Sequence, residues 1–510
     1  MCDVQDPLRK RQVIILGGGL AGLAAAVPLA VEGLCVTVLE RRPFLGGRAA
    51  SYPIPQANSS PPDFPSFAAE SSSDEGAHDV PALCGTKPPQ RYRGREFVDN
   101  CQHVLLRCCT NLLDFYRRLD VEDSITFYDR YLFLDQQGRA VVLCGTALPA
   151  PLHLLPSFLG FTPLSWKDRF KVSYAFICML RQQEHATELD RITMLQWLQQ
   201  HGQTTRTIER FWRIVLVSAL NEEIEFASAR YGLKVFLDGM LRNRVAFHMG
   251  VPRVPLAQLY TDPSVRFLNA RGSSVRLRSS ATRIEVDGER VQSILLADGT
   301  RVTGDYYVSA LPPDGFLKLL PEELAQTGSP FASLRQFESS PITAIYLWFD
   351  REITSLDQAA LLGRDIQWIF NKKIANGEGN SYIGLVVSAS RRLLSLNRSE
   401  ILEIALRDLK EVIPSAASAH LQRSVVIKEP FATFSCRAGC DSLRLDQKTV
   451  LSNLFVAGDW TKTGWPPTME GAVRSGYRCA ELILAAEGKE AAILRADLAT
   501  EWLPRWISRW

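Results

Sequence analysis

The sequence of 510 residues has little net charge, because 58 lysines and arginines face 55 aspartates and glutamates, which leaves +3. A nucleic-acid-binding domain carries a concentrated basic excess, so we expect no nucleic-acid partner. Histidine is scarce, with seven residues, and the eleven cysteines are scattered. Because neither residue type shows the spacing of a zinc site or of a disulfide framework, we expect no metal and reduced thiols.

A signal peptide and a membrane-spanning run are also missing. The first residues lead from a basic stretch directly into a strand pattern, without the apolar core of a signal peptide. The longest stretch without acidic or basic residues runs from Ala140 to Trp166, and its four prolines exclude a continuous helix of about 20 residues. We therefore expect a cytoplasmic protein, with peripheral contact to the inner face of the cell membrane as an open alternative.

An apolar strand, a glycine turn, a helix and a second strand follow one another near the N-terminus. Val13 to Leu16 form the first apolar run, and the turn leads into an alanine-rich helix that ends near Val31. Cys35 to Leu39 form the second apolar run. This order is typical of a dinucleotide-binding unit built on a parallel sheet.

The turn has the G-x-G-x-x-G spacing, and an acid follows the second strand. Gly17 permits the tight turn, Gly19 lets the backbone approach a pyrophosphate, and Gly22 lets the helix pack closely on the strand. The pyrophosphate would lie at the helix N-terminus, where free N–H groups favour an anion. Glu40 would accept hydrogen bonds from the ribose hydroxyls of an unphosphorylated adenosine.

Two further segments resemble motifs of the amine oxidase and phytoene desaturase class of flavoproteins. One contains Gly46-Gly47-Arg48, and the other runs from Asn453 to Asp459. In that class these segments bind the phosphate and ribityl regions of FAD, and the helix that begins near Gly471 faces the flavin. The resemblance implies non-covalent FAD and the following cofactor-binding residues: Gly17, Gly19, Gly22, Glu40, Arg41, Gly47, Arg48, Ala281, Gly458, Asp459, Met469, Gly471 and Ala472.

A third resemblance points to one group within this class of flavoproteins. Asp99-Asn100-Cys101-Gln102-His103 and the segment from Gly458 to Gly476 resemble motifs of squalene-associated FAD-dependent desaturases, the hydroxysqualene dehydroxylases of bacterial hopanoid pathways. The resemblance implies a C30 isoprenoid alcohol as substrate, a hydride from reduced flavin, loss of water and an unidentified reductant for the flavin. Cys101 stands where glycine is common, and the C-terminal motif is shared with carotene desaturases. An oxidative carotenoid desaturase is therefore the alternative function.

Loss of a hydroxyl group requires an acid, because hydroxide is a poor leaving group. The candidate catalytic residues are His103, Asp99 and Glu470, in that order. A structural role remains the alternative for each of them, for example a helix cap for Glu470. The candidate substrate-binding residues are Asn100, Gln102 and Trp465.

Two apolar segments allow both a membrane contact and ordinary packing. One is a lip of apolar residues that would open a tunnel for a long hydrocarbon: Leu152, Leu154, Leu155, Phe158, Leu159, Phe161 and Trp166. The other is the C-terminal tail, where Trp502, Trp506 and Trp510 recur at helical spacing beside arginines. Two other functions remain open, an amine oxidase and a non-catalytic FAD-containing carrier of prenyl chains.

The predicted fold class is α/β, a Rossmann-like FAD-binding domain with an inserted mixed α+β substrate-binding domain. The FAD-binding domain is assembled from three separated segments, and a disordered insertion interrupts the first. The predicted segments are 1–110 (FAD-binding, with the insertion at 52–93), 111–254 (mainly helical, substrate- or membrane-facing), 255–330 (FAD-binding), 331–448 (substrate-domain sheet and helices), 449–490 (FAD-binding) and 491–510 (amphipathic tail).

Overall fold

Five parallel strands form the sheet that carries the glycine turn. The computed structural model describes residues 10–54, 96–182, 187–372 and 381–509. Its strands are β1 (Gln12–Leu16), β2 (Cys35–Leu39), β3 (Ser51–Ile54), β4 (Glu96–Asp99), β5 (Leu105–Leu106), β6 (Ile125–Tyr128), β7 (Arg130–Leu134), β8 (Ala140–Cys144), β9 (Met249–Pro252), β10 (Ser274–Arg276), β11 (Ala281–Asp287), β12 (Arg290–Leu296), β13 (Arg301–Val302), β14 (Tyr306–Ser309), β15 (Ser339–Phe349), β16 (Gln358–Leu361), β17 (Trp368–Asn371), β18 (Ser381–Ser388), β19 (Leu421–Phe434) and β20 (Leu454–Val456).

Along the chain, most α-helices occur between strands, and seven of them, α3 to α9, stand between β8 and β9. They are α1 (Leu20–Val31), α2 (Thr110–Arg118), α3 (Leu155–Leu159), α4 (Trp166–Arg181), α5 (Thr187–Arg191), α6 (Met194–Gln200), α7 (Thr205–Thr207), α8 (Arg213–Leu220), α9 (Ala229–Phe236), α10 (Asp262–Asn269), α11 (Pro313–Leu317), α12 (Glu322–Ala325), α13 (Arg391–Leu394), α14 (Arg398–Val412), α15 (Met469–Ala486) and α16 (Trp502–Ile507). Short π-helical turns extend α7, α9 and the start of α10.

The parallel sheet has the strand order β10-β2-β1-β14-β20. Its strands come from the three separated segments that the sequence assigns to the FAD-binding domain, and β1 pairs with β2 on one side and β14 on the other. Helix α1 ends at Val31, as predicted, and continues through Pro28. The carboxyl ends of β1, β2, β14 and β20 lie at one edge, which is where ligands bind in sheets of this type.

A seven-stranded sheet forms the second unit, in the order β19-β15-β18-β17-β16-β7-β8. Two of its strands, β7 and β8, come from residues 111–254, where the sequence predicts mainly helix. Each strand has five residues, and β7 joins the sheet through a parallel pair between Phe133 and Ala360. The two strands pair with each other as a local antiparallel hairpin, whereas a local pattern does not contain the distant pairing with Ala360 that joins them to the sheet.

The helices of the substrate domain pack around a cluster of aromatic rings. Trp197, Phe211 and Trp212 are at most 1% exposed and belong to this core. Phe158 and Phe161 of the predicted lip are also buried, whereas Leu159 is 41% exposed. The lip is therefore divided between an inner face that packs and an outer face that meets solvent.

Two of the predicted segments, the insertion at 52–93 and the C-terminal tail at 491–510, differ in part from the structure. Of the predicted insertion at 52–93, residues 52–54 lie in β3, which pairs with β4, and the remainder lies outside the described residues. In the tail, α16 forms as a short helix whose Trp502 and Trp506 are 66 and 55% exposed. Both indole rings thus keep more than half of their surface in contact with solvent, and Trp510 lies outside the described residues. Among the described residues, no helix combines the length and apolarity that a membrane crossing requires.

Helices α1 and α15 cross at a contact without side chains. Gly476 of α15 lies against the backbone of α1, and a Cβ atom there would be 2.3 Å from the carbonyl oxygen of Ala21. Such a distance forces the two helices apart, because a backbone oxygen cannot rotate away as a side chain can. The crossing brings the start of α15 to the glycine turn that precedes α1.

We predict that Gly476→Ala lowers the free energy of unfolding by about 1–3 kcal/mol, the cost typical of overpacking. Gly160→Ala is the matched control, because its added Cβ would be 3.4 Å from the nearest atom and should change stability by about 0.5 kcal/mol or less. Urea unfolding of both variants with FAD bound measures the difference. Equal stabilities would contradict the proposed helix contact.

Candidate functional site

One elongated cavity of about 790 Å³ joins the two units. Its first half lies at the carboxyl edge of the parallel sheet and is lined by Gly17, Gly19, Glu40 and Arg48. Its second half is apolar and extends between the seven-stranded sheet and helices α8 and α9. The apolar lining is formed by Leu105, Leu106, Tyr131, Phe133, Leu143, Val215, Ala219, Val235, Met240, Met249, Ile342, Trp368, Phe370 and Val386.

The first glycine turn lies directly against the second one. A Cβ atom on Gly47 would be 3.1 Å from the Cα atom of Gly19, and the N–H of Gly46 donates to the carbonyl of Gly18 at 2.9 Å. Gly22 serves the predicted packing role, because a Cβ atom there would be 2.1 Å from the carbonyl oxygen of Gly17. The surface left at this point is backbone, which a pyrophosphate can approach closely.

Glu40 is a buried acid held by two backbone N–H groups. Its carboxylate accepts from Gly18 at 2.8 Å and from Arg42 at 2.9 Å, and its side chain lines the cavity. Each oxygen keeps a free lone pair. The carboxylate is thus oriented by the protein and still able to accept hydrogen bonds from ribose hydroxyls.

An ion pair connects the two halves of the predicted phosphate-binding region. Arg48 and Asp459 are in direct contact, and both line the cavity. Asp459 is 4% exposed as a residue, so the charge of Arg48 compensates a buried carboxylate. The pair thus brings a guanidinium and a carboxylate, the two groups predicted to meet the phosphates and the ribityl hydroxyls, to one point of the cavity wall.

Eleven of the thirteen predicted cofactor-binding residues line this cavity: Gly17, Gly19, Glu40, Arg41, Gly47, Arg48, Ala281, Gly458, Asp459, Met469 and Ala472. The other two, Gly22 and Gly471, lie behind it. The N–H of Gly471 donates to the hydroxyl of Thr468 at 3.2 Å, which caps the start of α15. Gly471 therefore shapes the helix that borders the site.

The three predicted substrate-binding residues, Asn100, Gln102 and Trp465, also line the cavity. Gln102 Oε1 and Trp465 Nε1 are buried and have no hydrogen-bond partner among the described residues. A buried polar atom without a partner costs free energy, so an acceptor and a donor here indicate a ligand with polar groups. FAD, with its ring carbonyls and ring nitrogens, fits this requirement.

His103 lines the cavity, but its chemistry differs from that of a ready acid. Its Nε2 lies 3.0 Å from Asn100 Oδ1 and 3.3 Å from Cys101 Sγ. Burial lowers the pKa of His103 to about 4, against the opposing effect of Asp99. The imidazole is therefore neutral at pH 7, and its Nε2–H donates to the amide oxygen of Asn100.

Asp99 lies behind the cavity lining. Its Oδ1 accepts from the Ser51 hydroxyl at 2.6 Å and from the backbone N–H of Leu256 at 3.0 Å, and its Oδ2 lies 3.9 Å from Lys372 Nζ. Asp99 thus ties β3 to the start of the helical turn that precedes α10. These contacts hold the Asn100–His103 segment in place.

Glu470 is fully buried at the edge of the cavity. Its carboxylate accepts from the backbone N–H groups of Asn111 at 3.1 Å and Leu112 at 2.7 Å, and from Arg474 at 2.6 Å. It therefore caps the N-terminus of α2 from the first turn of α15, a position that favours negative charge. These are the contacts of a structural residue.

One acid at the cavity is not indicated by any sequence pattern. Glu429 of β19 lines the cavity and is 5% exposed, and it accepts from the Tyr52 hydroxyl at 3.0 Å. Burial raises the pKa of Glu429 to about 7, although Tyr52 and the nearby Arg42 oppose the shift. A single acid inside a strand gives no spacing signal, and only the sheet register reveals which face carries it.

We predict that Glu40→Gln weakens FAD binding about tenfold, because one of the oxygens that accept hydrogen bonds is replaced by an NH₂ donor. Glu32→Gln, at an exposed acid just after α1, is the control and should bind FAD like the parent chain. Fluorescence titration of the apoprotein with FAD measures both. Unchanged binding in Glu40→Gln would exclude Glu40 from the ribose site.

The described residues contain no group of three or more histidine, cysteine, aspartate or glutamate side chains that could hold a metal ion.

The chain is 25% identical over 500 residues to the 15-cis-phytoene desaturase, chloroplastic/chromoplastic, of Solanum lycopersicum, covering 94% of this chain and 78% of that relative. It is also 25% identical to the 15-cis-phytoene desaturase of Synechococcus elongatus, covering 93 and 96%.

Solved structures with the same fold include the cyclohexylamine oxidase of Brevibacterium oxydans, with a TM-score of 0.63, 16% identity and coverage of 94 and 100% of the two chains. An oxidoreductase from Methanosarcina mazei matches with a TM-score of 0.64, also at 16% identity and with coverage of 94 and 100%. The predicted α/β class and the Rossmann-like domain are thus confirmed.

Two family models match the sequence. The model of NAD(P)-binding Rossmann-like domains matches residues 15–74, and that of flavin containing amine oxidoreductases matches residues 87–484. The second match covers most of the chain and includes the Asn100–His103 segment, β19 and the start of α15. The chain therefore belongs to the flavin containing amine oxidoreductase family and is an FAD-dependent oxidoreductase.

Proposed function

We propose that the protein binds a long acyclic isoprenoid in the apolar half of its cavity and acts on it with FAD held in the other half. The observation that carries this proposal is the continuity of the two halves in a single cavity. The apolar half has aliphatic and aromatic walls from both the seven-stranded sheet and the helical layer. A hydrocarbon gains free energy by leaving water for such walls, at about 25 cal/mol for each Å² buried.

For the reaction, we propose reductive dehydroxylation of hydroxysqualene to squalene. When bound, reduced FAD supplies a hydride, and the overall change replaces a C–O bond of the carbinol by a C–H bond. The hydroxyl leaves as water after it takes a proton, and two electrons from an external reductant restore the flavin for each turnover. The protein has to hold the carbinol, deliver the proton and exclude bulk water.

Glu429 is the residue to which we assign the proton. It lines the cavity on the same strand as Ala432 and Thr433, and it pairs in register with Ile342 of the apolar lining. With a pKa raised to about 7 by burial, a substantial fraction of its carboxyl groups is protonated at neutral pH. The hydroxyl of Tyr52 holds one of its oxygens in a fixed direction.

The three acids proposed from the sequence are less suited to this step. His103 is neutral because burial lowers its pKa to about 4, and Glu470 is fully occupied by backbone N–H groups and Arg474. Asp99 lies outside the cavity lining. We assign to His103 the positioning of Asn100 at the flavin, and to Asp99 and Glu470 the support of the surrounding loops.

The second candidate is oxidative desaturation of a polyene such as a carotenoid precursor. It is favoured by the relatives named 15-cis-phytoene desaturase and by the relative named probable zeta-carotene desaturase, which is 25% identical over 517 residues. The same cavity would serve, with the hydride moving from the hydrocarbon to oxidised flavin. Ionised Glu429 would then accept a proton instead of donating one.

Direction of hydride transfer distinguishes the two candidates in a single-turnover assay. We expect the anaerobic, photoreduced enzyme to convert hydroxysqualene to one equivalent of squalene for each flavin reoxidised, read by absorbance and mass analysis. Phytoene added to the oxidised enzyme is the matched experiment. Two results together would overturn dehydroxylation in favour of desaturation: the photoreduced enzyme stays reduced when hydroxysqualene is added, and the oxidised enzyme becomes reduced when phytoene is added.

We predict that Glu429→Gln slows the single-turnover step by about 100-fold or more, the usual contribution of a general acid. The amide keeps the size of the side chain but has no proton to transfer. Glu352→Gln, at an exposed acid, should react at the parent rate. The flavin spectrum of each variant reports whether FAD is still bound, and an unchanged rate in Glu429→Gln would exclude the assigned role.

The pH dependence follows from the same carboxyl group. Because the pKa of Glu429 is raised to about 7, the acid form predominates below this pH and is lost above it. The dehydroxylation rate of the loaded enzyme should therefore be constant below pH 7 and fall about tenfold for each pH unit above it. In Glu429→Gln the inflexion near pH 7 should disappear, and a profile that rises with pH would contradict proton donation.

A further inference from the structure

Helix α4 carries a row of exposed aromatic and aliphatic side chains. Trp166, Phe170, Tyr174 and Ile177 are 60, 72, 58 and 41% exposed. Their spacing of four, four and three residues places them on one side of the helix, whereas residues such as Val172 are buried on the other side. Solvent-exposed helix faces of this kind are rare in monomeric soluble proteins and mark an interaction site.

A second helix extends this row. Helix α16 packs against α4, and its Trp502 and Trp506 are 66 and 55% exposed. We refer to these six side chains, Trp166, Phe170, Tyr174, Ile177, Trp502 and Trp506, as the aromatic surface. Leu159 lies beside it, because Arg169 of α4 donates to the carbonyl oxygen of Leu159.

Basic side chains surround the aromatic surface. Lys167, Lys171 and Arg181 of α4 are exposed, and so are Arg505 and Arg509 in and after α16. Their positive charges stand at the border between the apolar row and the solvent. Lysine and arginine at such a border interact favourably with anionic lipid headgroups.

The acids of these helices point away from that border. Asp168 is buried and accepts from the hydroxyls of Ser165 and Thr204. Glu501, which precedes α16, accepts from the backbone N–H groups of Ala150 and Arg244. The charge presented beside the aromatic surface is therefore positive, although the whole chain has a net charge of only +3.

We propose that the aromatic surface inserts into the interface of an anionic lipid bilayer, with α4 lying parallel to the membrane plane. Tryptophan and tyrosine favour the headgroup region because their rings are apolar and their N–H or O–H groups remain hydrated. An amphipathic helix with a basic border is the arrangement typical of proteins that lie on a membrane. This proposal goes beyond the reaction proposed above.

A series of packed aromatic rings connects helix α4 with the cavity. Phe133 lines the cavity, and its ring centroid is 5.3 Å from that of Phe161. Phe158 follows at 6.2 Å, and Phe176 of α4 at 6.4 Å from Phe158. If the substrate is the isoprenoid proposed above, these rings form the packed core between the lipid-facing helix and the cavity.

Vesicle sedimentation with the FAD-loaded protein tests the membrane contact. We expect the protein to sediment with vesicles of phosphatidylcholine and phosphatidylglycerol, to bind pure phosphatidylcholine about tenfold more weakly, and to be released by salt. No substrate is added, so failure of the proposed reaction would not affect this result. Absence of binding to both kinds of vesicle would overturn the proposal.

Three double variants assign the binding to this surface. Phe170→Ser with Trp502→Ser should weaken partitioning into both kinds of vesicle at least tenfold, whereas Lys167→Gln with Lys171→Gln should remove about tenfold of the preference for anionic vesicles. Phe226→Ser with Val450→Ser is the control at side chains that are 46 and 51% exposed elsewhere. Equal binding of the control and the aromatic variant would overturn the assignment.

A second copy of the chain is the competing occupant of the aromatic surface. Analytical ultracentrifugation without lipid distinguishes it, because a dimer that Phe170→Ser with Trp502→Ser dissociates would contradict membrane insertion. We expect the parent chain and the variant to have the same sedimentation coefficient. The flavin absorbance spectrum and circular dichroism show that each variant is folded and loaded with FAD.

Discussion

The backbone contact between the two glycine turns is the constraint on which the cofactor half of the cavity depends. Gly19 and Gly47 approach so closely that a Cβ atom on Gly47 would be 3.1 Å from the Cα atom of Gly19. The contact holds the loop that carries Arg48, which in turn pairs with Asp459. FAD phosphates can then approach N–H groups at the start of α1 without displacing side chains.

The proton transfer proposed for the cavity depends on a different balance, the burial of a few ionisable groups in its lining. Glu429 is one such group, and removal from water is what raises its pKa to about 7. A carboxyl group in this environment can exchange a proton near neutral pH. The hydroxyl of Tyr52 and the guanidinium of Arg42 limit the shift, so that the group stays usable in both protonation states.

The sequence was informative wherever chemistry is encoded by local spacing. The glycine turn, Glu40 and the segment ending at Asp459 are adjacent in sequence to the strands that position them, so their meeting at one edge of the parallel sheet could be predicted. The place of β7 and β8 in the seven-stranded sheet could not, since β7 joins that sheet through β16, more than 200 residues away. The same holds for Glu429, whose place at the cavity follows from the register of β19 with β15.

A structure of the reduced enzyme with hydroxysqualene bound is the measurement that tests the central claim most directly. We predict that the carbinol lies between the flavin ring and the Glu429 carboxyl group, within hydrogen-bond distance of the latter. The hydrocarbon should extend along the apolar lining from Ile342 towards Phe133. A substrate bound outside this cavity, or a carbinol far from Glu429 with the flavin in place, would contradict the account.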